Sequence, residues 1–308
     1  MSKLVGAAAF LVIVLSLTVA ILAAAVTGGL AGSSPSAAPD PSATTTSGAT
    51  GQVADLPPGW QAMEVAAAAT CPGLPWSVLA AIGALESDSG RSTSPGVSSG
   101  ANAAGAEGPM QFEPATFAAY ATVGPGGASP ANPYDPIDAV YSAATMLCAD
   151  GAGTTSGLRN AVFAYNHDRS SVDRVLALSL VFADDPSVDR AVVAAIGFAA
   201  GQLGKPYRWG GNGPDGFDCS GLTLAAFRAA GTALPRVAQD QFTRGPAVVG
   251  GDAVRPGDLL FFGTGPAGVD HVGIYVGSGL MLDAPHTGAV VRVEPAGWEG
   301  FVGATRPG

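Results

Sequence analysis

Apolar side chains recur at helical spacing through the part of the chain between residues 56 and 203. Pro75 can begin a helix, and apolar residues follow it three or four positions apart. The predicted apolar face consists of Val78, Leu79, Ile82 and Leu85. Glu86 falls on the same face, four positions after Ile82. The pattern therefore predicts a helix whose last turn carries a carboxyl group on the side that faces the core.

Two further helices are predicted from their starts and their apolar faces. Asp135 can cap a helix that begins at Pro136. Its apolar face consists of Ile137, Val140, Tyr141, Ala144, Leu147 and Cys148. Asp185 and Pro186 are expected to start the other helix, which Gly204 ends. Its apolar face consists of Val188, Val192, Ile196, Ala199 and Leu203.

Strand-like alternation appears near the carboxyl end of the chain. Residues 270–285 predict a β-hairpin that turns at residues 277–279. Alternation puts Val272, Ile274 and Val276 on the apolar face and His271 on the opposite face. On the return strand, Asp283 shares the face of His271, so the carboxylate can orient the imidazole.

A helix is also predicted directly after Asp218, which can cap it, with Gly231 ending it. Cys219 is then its first residue, where unpaired N–H groups and the helix dipole favour a thiolate, although the charge of Asp218 opposes this. A nucleophilic cysteine needs a base, for which His271 is the candidate. As the group that orients His271, parity favours Asp283 over His286, which follows Pro285. The alternative is a buried free cysteine and a surface histidine with no mutual geometry.

The amino-terminal segment has a different composition. Residues 4–32 contain no charged side chain, which predicts an uncleaved membrane anchor over residues 1–32. A signal peptide that is cut near residues 23–25 is the alternative. Residues 33–55 are rich in Ser, Thr, Pro and Ala and are expected to be a disordered linker. Either interpretation places the rest of the chain outside the cytoplasm.

Composition excludes several classes of function. The formal net charge is −10 and there is no basic cluster, which argues against nucleic acid as a partner. No His and Cys cluster has metal-ligand spacing, and no phosphate-binding loop is present, so we expect neither a metal nor a cofactor.

The chain has three cysteines, an odd number for an exported protein. Cys71 precedes the first predicted helix and Cys148 lies on the apolar face of another, so we expect these two to form a disulfide. Two separate buried thiols are the alternative. The pairing would leave Cys219 unpaired.

Glu86 is the first candidate for chemistry. A carboxyl group on a buried helix face has a raised pKa, as a general acid at neutral pH requires. Asp88 cannot pair with it, because residues two apart on a helix point in different directions. The alternative is that the helix ends one residue earlier and Glu86 is solvated.

Three short motifs occur in order in the helical part: ALES at 84–87, GPMQF at 108–112 and AYN at 164–166. This series resembles the soluble lytic transglycosylases, which cut the glycan strands of peptidoglycan. The resemblance implies an all-α, lysozyme-like domain over residues 56–178. It also implies functional residues: Glu86 as the single catalytic acid and base, Met110 and Gln111 lining the glycan groove, and Tyr165 and Asn166 near the acid.

A single carboxyl group suits that chemistry. It can protonate the leaving oxygen and then accept a proton from the 6-hydroxyl of the same sugar, which leaves a 1,6-anhydromuramic end. Ordinary glycosidases use two carboxyl groups. A lysozyme-like hydrolase therefore remains an alternative, and Glu107 and Glu113 are the other candidate acids.

Five motifs occur in order in the carboxyl-terminal part: GKPYRWGG at 204–211, DCSGL at 218–222, LPR at 234–236, RPGDLLFF at 255–262 and HVGIYVGSG at 271–279. This series resembles the NlpC-type cysteine peptidases, which cut the stem peptides of peptidoglycan. The resemblance implies a papain-like α+β domain over residues 188–308, after a linker at 179–187.

The same resemblance implies roles for individual residues. Cys219 is the nucleophile, His271 the base, and Asp283 occupies the position of the orienting group, where the family often has His. Three further residues are expected to contact the substrate: Tyr207, Ser220 and Arg236. The family's usual target is the bond between γ-D-glutamate and diaminopimelate.

Both resemblances point to peptidoglycan as the substrate. We therefore predict a two-domain peptidoglycan hydrolase that cuts glycan strands and stem peptides and is attached to the membrane by its amino-terminal helix. A conjugation, secretion or division complex is a possible partner by analogy only. Two alternatives remain: an active peptidase whose first domain positions the glycan, and a non-catalytic wall-binding scaffold.

Overall fold

The computed structural model describes residues 56–249 and 253–307. The predicted anchor at 1–32 and the predicted linker at 33–55 lie outside these residues. Among the helices that are described, none combines the length and the apolar character needed to cross a membrane.

The first part of the described chain is helical. Its helices are α1 (Trp60–Ala68), α2 (Trp76–Ser87), α3 (Pro114–Tyr120), α4 (Pro136–Ala149), α5 (Thr155–Asn166) and α6 (Arg169–Asp184). Helix α2 packs between α1 and α6, and α4 packs against α1 and α5. Helix α2 includes Glu86, so the carboxyl group predicted at its end does belong to the last turn.

Local capping explains where these helices begin. The side chain of Asp135 accepts hydrogen bonds from the backbone N–H groups of Ile137 and Asp138, and Pro136 occupies the first turn of α4, as predicted. Asp168 caps α6 in the same way, by accepting from the N–H groups of Ser170 and Ser171.

The second part combines three helices with an antiparallel sheet. The helices are α7 (Arg190–Ala200), α8 (Cys219–Ala229) and α9 (Ala238–Arg244). The strands are β1 (Leu259–Gly263), β2 (Val269–Gly277), β3 (Leu280–Asp283), β4 (Arg292–Pro295) and β5 (Phe301–Thr305), in the order β4-β3-β2-β1-β5. A helical region followed by an α+β region confirms the predicted fold class at this level.

The hairpin predicted at residues 270–285 is formed by β2 and β3, which pair Ile274 with Leu282. On its other side β2 pairs with β1, where Phe262 lies opposite His271. Strand β4 continues the sheet beyond β3, with Arg292 opposite Asp283. This face of the sheet thus collects polar side chains from three neighbouring strands, beside the buried Phe262 and Met281.

The structure corrects the predicted boundary between the two regions. Residues 179–184, assigned to a linker at 179–187, continue α6, because Val181 and Phe182 are fully buried. The next helix begins at Arg190 rather than at Pro186, since Asp189 caps it by accepting from the N–H of Ala191. That helix also ends earlier than predicted, at Ala200.

Helix α6 contributes to both regions. It packs against α2 and α5 on one side and against α7 and β2 on the other. A side-chain carbon at Gly197 of α7 would lie 3.8 Å from Leu85 of α2 and from Leu178 of α6. The backbone N–H of Ser278, in the β2–β3 turn, donates to Asp184 at 3.1 Å. Buried residues of the two regions therefore form one continuous hydrophobic cluster.

Candidate active sites

The helical region contains a cleft of about 310 Å³ beside the end of α2. Glu86 reaches the cleft from α2, and Tyr165 and Asn166 reach it from the last turn of α5. Gln111 and Glu113 line it from the segment that leads into α3. The structure therefore brings together residues that are 80 positions apart in the sequence.

Glu86 is half-buried in this cleft. The Asn166 side chain donates to Glu86 Oε1 at 2.7 Å and to the Ser171 hydroxyl at 3.0 Å. Burial raises the pKa of Glu86, while the hydrogen bond from Asn166 and the charge of Arg174 act in the opposite direction. A carboxyl group with a raised pKa and a fixed orientation can donate a proton near neutral pH.

The GPMQF segment forms a tight turn beside the cleft. Gly108 has φ +75° and lies so close to the Pro133 carbonyl that no side chain fits there. The Gln111 side chain donates to the Gly108 carbonyl at 2.7 Å and accepts from Asn102 at 2.9 Å. These bonds fix Gln111 at the wall of the cleft.

Met110 does not line the glycan groove as predicted. Its side chain is fully buried in the core, and its sulfur lies 3.5 Å from the place where a side chain on Gly83 would begin. The turn points the Met110 side chain into the core, so the residue contributes to the site only through its backbone. Its carbonyl accepts a hydrogen bond from the Tyr165 hydroxyl at 2.8 Å.

Two other acids lie near this turn. Glu113 is exposed and lines the cleft in front of α3. Glu107 is paired by its backbone with Phe112 and is not part of the cleft wall.

Burial, together with the charge of Glu86, raises the pKa of Tyr165 well above its ordinary value, so the tyrosine remains a neutral donor.

Cys71 and Cys148 form a disulfide across 77 positions of sequence. It joins the loop before α2 to the end of α4. Cys219 is the free cysteine and is almost completely buried.

The second region contains a cleft of about 540 Å³ at the start of α8. Cys219 is the first residue of that helix, and the Asp218 side chain caps it by accepting from the N–H of Gly221 at 2.7 Å. A side-chain carbon at Gly221 would lie 2.0 Å from the Gly211 carbonyl, so only glycine lets α8 approach this loop. The close packing holds Cys219 at the cleft.

Arg236 neutralises the capping carboxylate. Its guanidinium donates to both oxygens of Asp218, at 3.0 and 2.7 Å, and to the Ser220 hydroxyl at 3.1 Å. This pairing offsets the charge that would otherwise oppose a thiolate at Cys219. Arg236 and Ser220 also line the cleft, which is the place expected for substrate contacts.

His271 and Asp283 lie behind Cys219. His271 Nε2 donates to Asp283 Oδ2 at 2.8 Å, and Asp283 is fully buried. Burial lowers the pKa of His271, but hydrogen bonds and charges from Asp283 and Cys219 raise it more, to about 9. The imidazole is therefore cationic at neutral pH and can hold a neighbouring thiolate.

Tyr207 lines the same cleft. Burial and the charges of Cys219 and Asp218 raise its pKa, so its hydroxyl can act as a hydrogen-bond donor. His286 is exposed, and its ring nitrogen contacts the Thr287 carbonyl instead of the cysteine. Within the described residues, no group of His, Cys, Asp and Glu side chains is arranged to hold a metal ion.

The two regions match two family models. Residues 63–183 match the transglycosylase SLT domain, and residues 204–301 match the NlpC/P60 family. The chain joins an SLT domain to an NlpC/P60 domain.

Curated relatives share part of this chain. A probable endopeptidase p60 from Listeria innocua is 44% identical over 110 residues, which are 35% of this chain and 23% of the relative. The murein DD-endopeptidase MepH from Escherichia coli is 38% identical over 136 residues, 42% of this chain and 50% of the relative. This chain thus spans half or less of the length of these relatives. A solved P60 domain of an antigen from M. avium subspecies paratuberculosis is 37% identical, with a TM-score of 0.35, and the alignment covers 38% of this chain and 94% of that one.

Sequence analysis missed two side chains of the NlpC/P60 domain. The Trp298 indole stacks on the His271 imidazole, with 4.5 Å between ring centroids and 20° between the ring planes. Glu294 of β4 lies diagonally across from Asp283, and burial and the charge of Asp283 raise its pKa. Both residues follow β3 in the chain, and only the tertiary fold brings them close to His271 and Asp283. Strand alternation, continued into β4, could have indicated Glu294.

Proposed function

We propose that this protein cuts peptidoglycan at two kinds of bond, stem peptides in the NlpC/P60 domain and glycan strands in the SLT domain. The observation that carries the peptide activity is the alignment of Cys219, His271 and Asp283. The free cysteine opens a helix at a cleft, next to a cationic imidazole that a buried carboxylate orients. This is the nucleophile, base and orienting group of a cysteine peptidase.

The peptide reaction follows from these positions. The thiolate of Cys219 attacks the scissile carbonyl, and the imidazolium of His271 donates its proton to the leaving amine. Water then hydrolyses the thioester, with His271 accepting the proton of the water. The Tyr207 hydroxyl faces the same cleft and can donate to the developing oxyanion. The family resemblance favours the bond between γ-D-glutamate and diaminopimelate.

The glycan reaction is proposed to use Glu86 alone. Its raised pKa suits proton donation to the glycosidic oxygen, and the resulting carboxylate keeps the hydrogen bond from Asn166. That carboxylate then accepts the proton of the 6-hydroxyl, which closes the 1,6-anhydro ring without consuming water. Glu113 also lines the cleft, so a hydrolase with two carboxyl groups is the second candidate.

We also propose that both domains work outside the cytoplasm, attached to the membrane by residues 1–32. The uncharged segment at 4–32 and the Cys71–Cys148 disulfide support this location. Attachment to a conjugation, secretion or division complex would suit a locally acting wall hydrolase, and it remains part of the proposal.

A digest of purified peptidoglycan by the full chain, resolved by mass spectrometry, tests both activities. Glu86→Gln should abolish 1,6-anhydro ends and leave peptide cleavage intact, and Cys219→Ala should do the reverse. Glu113→Gln is the matched control, because it removes an exposed carboxyl from the same cleft. If glycan ends appear only as reducing sugars and Glu113→Gln removes them, the SLT domain is a hydrolase. Unchanged peptide products with Cys219→Ala would refute the peptidase assignment.

A further inference from the structure

Two buried carboxylate oxygens at the far end of the catalytic group have no hydrogen-bond donor. Asp283 Oδ2 accepts from His271, and Glu294 Oε2 accepts from the Arg292 guanidinium at 2.7 Å. The other oxygen of each group, Asp283 Oδ1 and Glu294 Oε1, is buried without a partner. Buried polar atoms are rarely left unsatisfied, so the two orphan oxygens need an explanation.

The register of the sheet makes these two residues neighbours. Strands β3 and β4 pair Met281 with Glu294 and Asp283 with Arg292. Residues directly opposite each other share a face, and alternate residues of one strand share it too. Asp283 and Glu294 are therefore diagonal neighbours on the same face of the sheet, where burial and the charge of Asp283 raise the pKa of Glu294.

Two ionised carboxylates cannot satisfy each other, since each is only an acceptor. One shared proton removes the repulsion and gives both orphan oxygens a partner, as in other carboxyl pairs. Asp283 already accepts a hydrogen bond from His271, so its place in the pair is that of the acceptor. Burial and the charge of Asp283 raise the pKa of Glu294, while Arg292 opposes the shift. The proton therefore belongs on Glu294.

We propose that Glu294 is a positioning residue of the peptidase site, which holds a proton on Oε1 and donates it as a hydrogen bond to Asp283 Oδ1. This inference rests on the proposed function of the NlpC/P60 domain. It extends the catalytic group from three side chains to a row of five: Cys219, His271, Asp283, Glu294 and Arg292. Glu294 does not touch the substrate and acts through Asp283.

The arrangement controls the charge behind His271. With Glu294 protonated, Asp283 is held in one plane by two hydrogen bonds, and a single negative charge faces the imidazolium. The charged groups around Glu294 are Arg292 on its own strand, Asp283 on β3 and, beyond that carboxylate, His271 on β2. Loss of the donor would leave Asp283 Oδ1 buried and unsatisfied, and Asp283 free to turn away from His271.

Two substitutions separate the donor from the shape of the side chain. Glu294→Gln keeps a donor for Asp283 and an acceptor for Arg292, whereas Glu294→Leu keeps only the bulk. We expect Glu294→Gln to cleave stem peptides within about threefold of the wild-type rate. Glu294→Leu should lower kcat by about 10- to 100-fold, with KM unchanged. Glu299→Gln and Glu299→Leu, at an exposed carboxyl five positions further on, are the matched controls.

The proton itself is measured in the resting protein. The infrared difference between wild type and Glu294→Gln at pH 7 should contain the carbonyl band of a protonated carboxylic acid, which the Glu299→Gln difference lacks. The inference is overturned if that band is absent, if Glu294→Gln loses as much activity as Glu294→Leu, or if Glu294→Leu cleaves like wild type. The infrared result does not depend on turnover. A wild-type protein that cuts no peptide would therefore refute the proposed function and still leave the shared proton measurable.

Discussion

Glu64 offers a direct test of how much an unpaired buried acid costs this fold. It lies in α1 with no exposed surface, and neither of its carboxyl oxygens has a hydrogen-bond partner. Burial raises its pKa from 4.5 to about 8. The perturbation we propose is Glu64→Met, which keeps a similar length and removes the ionisable group.

The magnitude follows from linkage between protonation and folding. An acid whose pKa is higher in the folded state binds more protons when folded, so stability falls as the pH rises between the two pKa values. The interval from 4.5 to about 8, at about 1.4 kcal/mol per pH unit, corresponds to about 5 kcal/mol in total. About 3 kcal/mol of this has been lost by pH 7. Below pH 4.5 Glu64 is protonated in both states and has no pH-dependent effect.

The assay is urea unfolding of the full chain with the disulfide intact, at pH 4, 5, 6 and 7. The difference in unfolding free energy between Glu64→Met and wild type should grow by about 1.4 kcal/mol per pH unit above pH 4.5. Taking differences cancels other groups, including His271, whose raised pKa stabilises the fold at low pH and loses that effect as the pH rises from 6.5 to about 9. Glu113→Gln, at an exposed acid, should show no such growth. A difference that stays constant across this range would mean that Glu64 is ionised in the folded protein, and the argument from burial would fail.

Three further outcomes are expected. Trp298→Leu removes the indole stacked on His271, so the alkaline limb of the pH–rate profile for peptide cleavage should move to lower pH by about 0.5 to 1 unit. Trp298→Phe should restore about half of that shift, and identical profiles in all three proteins would exclude a role for the stack. Asn166→Ala removes a hydrogen bond that lowers the pKa of Glu86, so the alkaline limb of the pH–rate profile for glycan cleavage should move to higher pH while kcat falls. A move to lower pH would contradict the assigned contact. Gly221→Ala places a side-chain carbon 2.0 Å from the Gly211 carbonyl oxygen of the neighbouring loop, so peptide cleavage should be lost and the melting temperature measured by calorimetry should fall. A fully active variant would show that α8 can move away from this loop.

Features set by neighbouring residues could be predicted from the sequence. Asp135 and Asp218 cap helices because their carboxylates bond N–H groups two or three positions later, which is a local property. The contact between His271 and Asp283 follows from the predicted hairpin and its alternation, and the structure has the same parity. It reaches that parity by a register shift between Tyr275 and Gly277, which the sequence pattern does not indicate.

Features set by tertiary packing could not be predicted in this way. The sequence predicts a linker where the structure has the end of α6. Val181 and Phe182 are buried there by helices and strands of both regions, which only the tertiary structure brings together. The inward direction of Met110 depends on a turn in which Gln111 has φ +50°. Glu64 lies in a short alanine-rich helix, and nothing in its neighbours along the chain indicates that its side chain is enclosed.

Helix α6 has a consequence for the evolution of the chain. Its apolar side chains complete the cores of both the SLT domain and the NlpC/P60 domain, so neither can be cut away at Asp184 without uncovering the other. The two domains therefore differ from domains that are joined by a flexible linker, which can be exchanged or lost one at a time. A substitution in the shared core should destabilise both domains at once, so α6 is constrained by both, although residues such as Glu86 and Cys219 can still change one at a time.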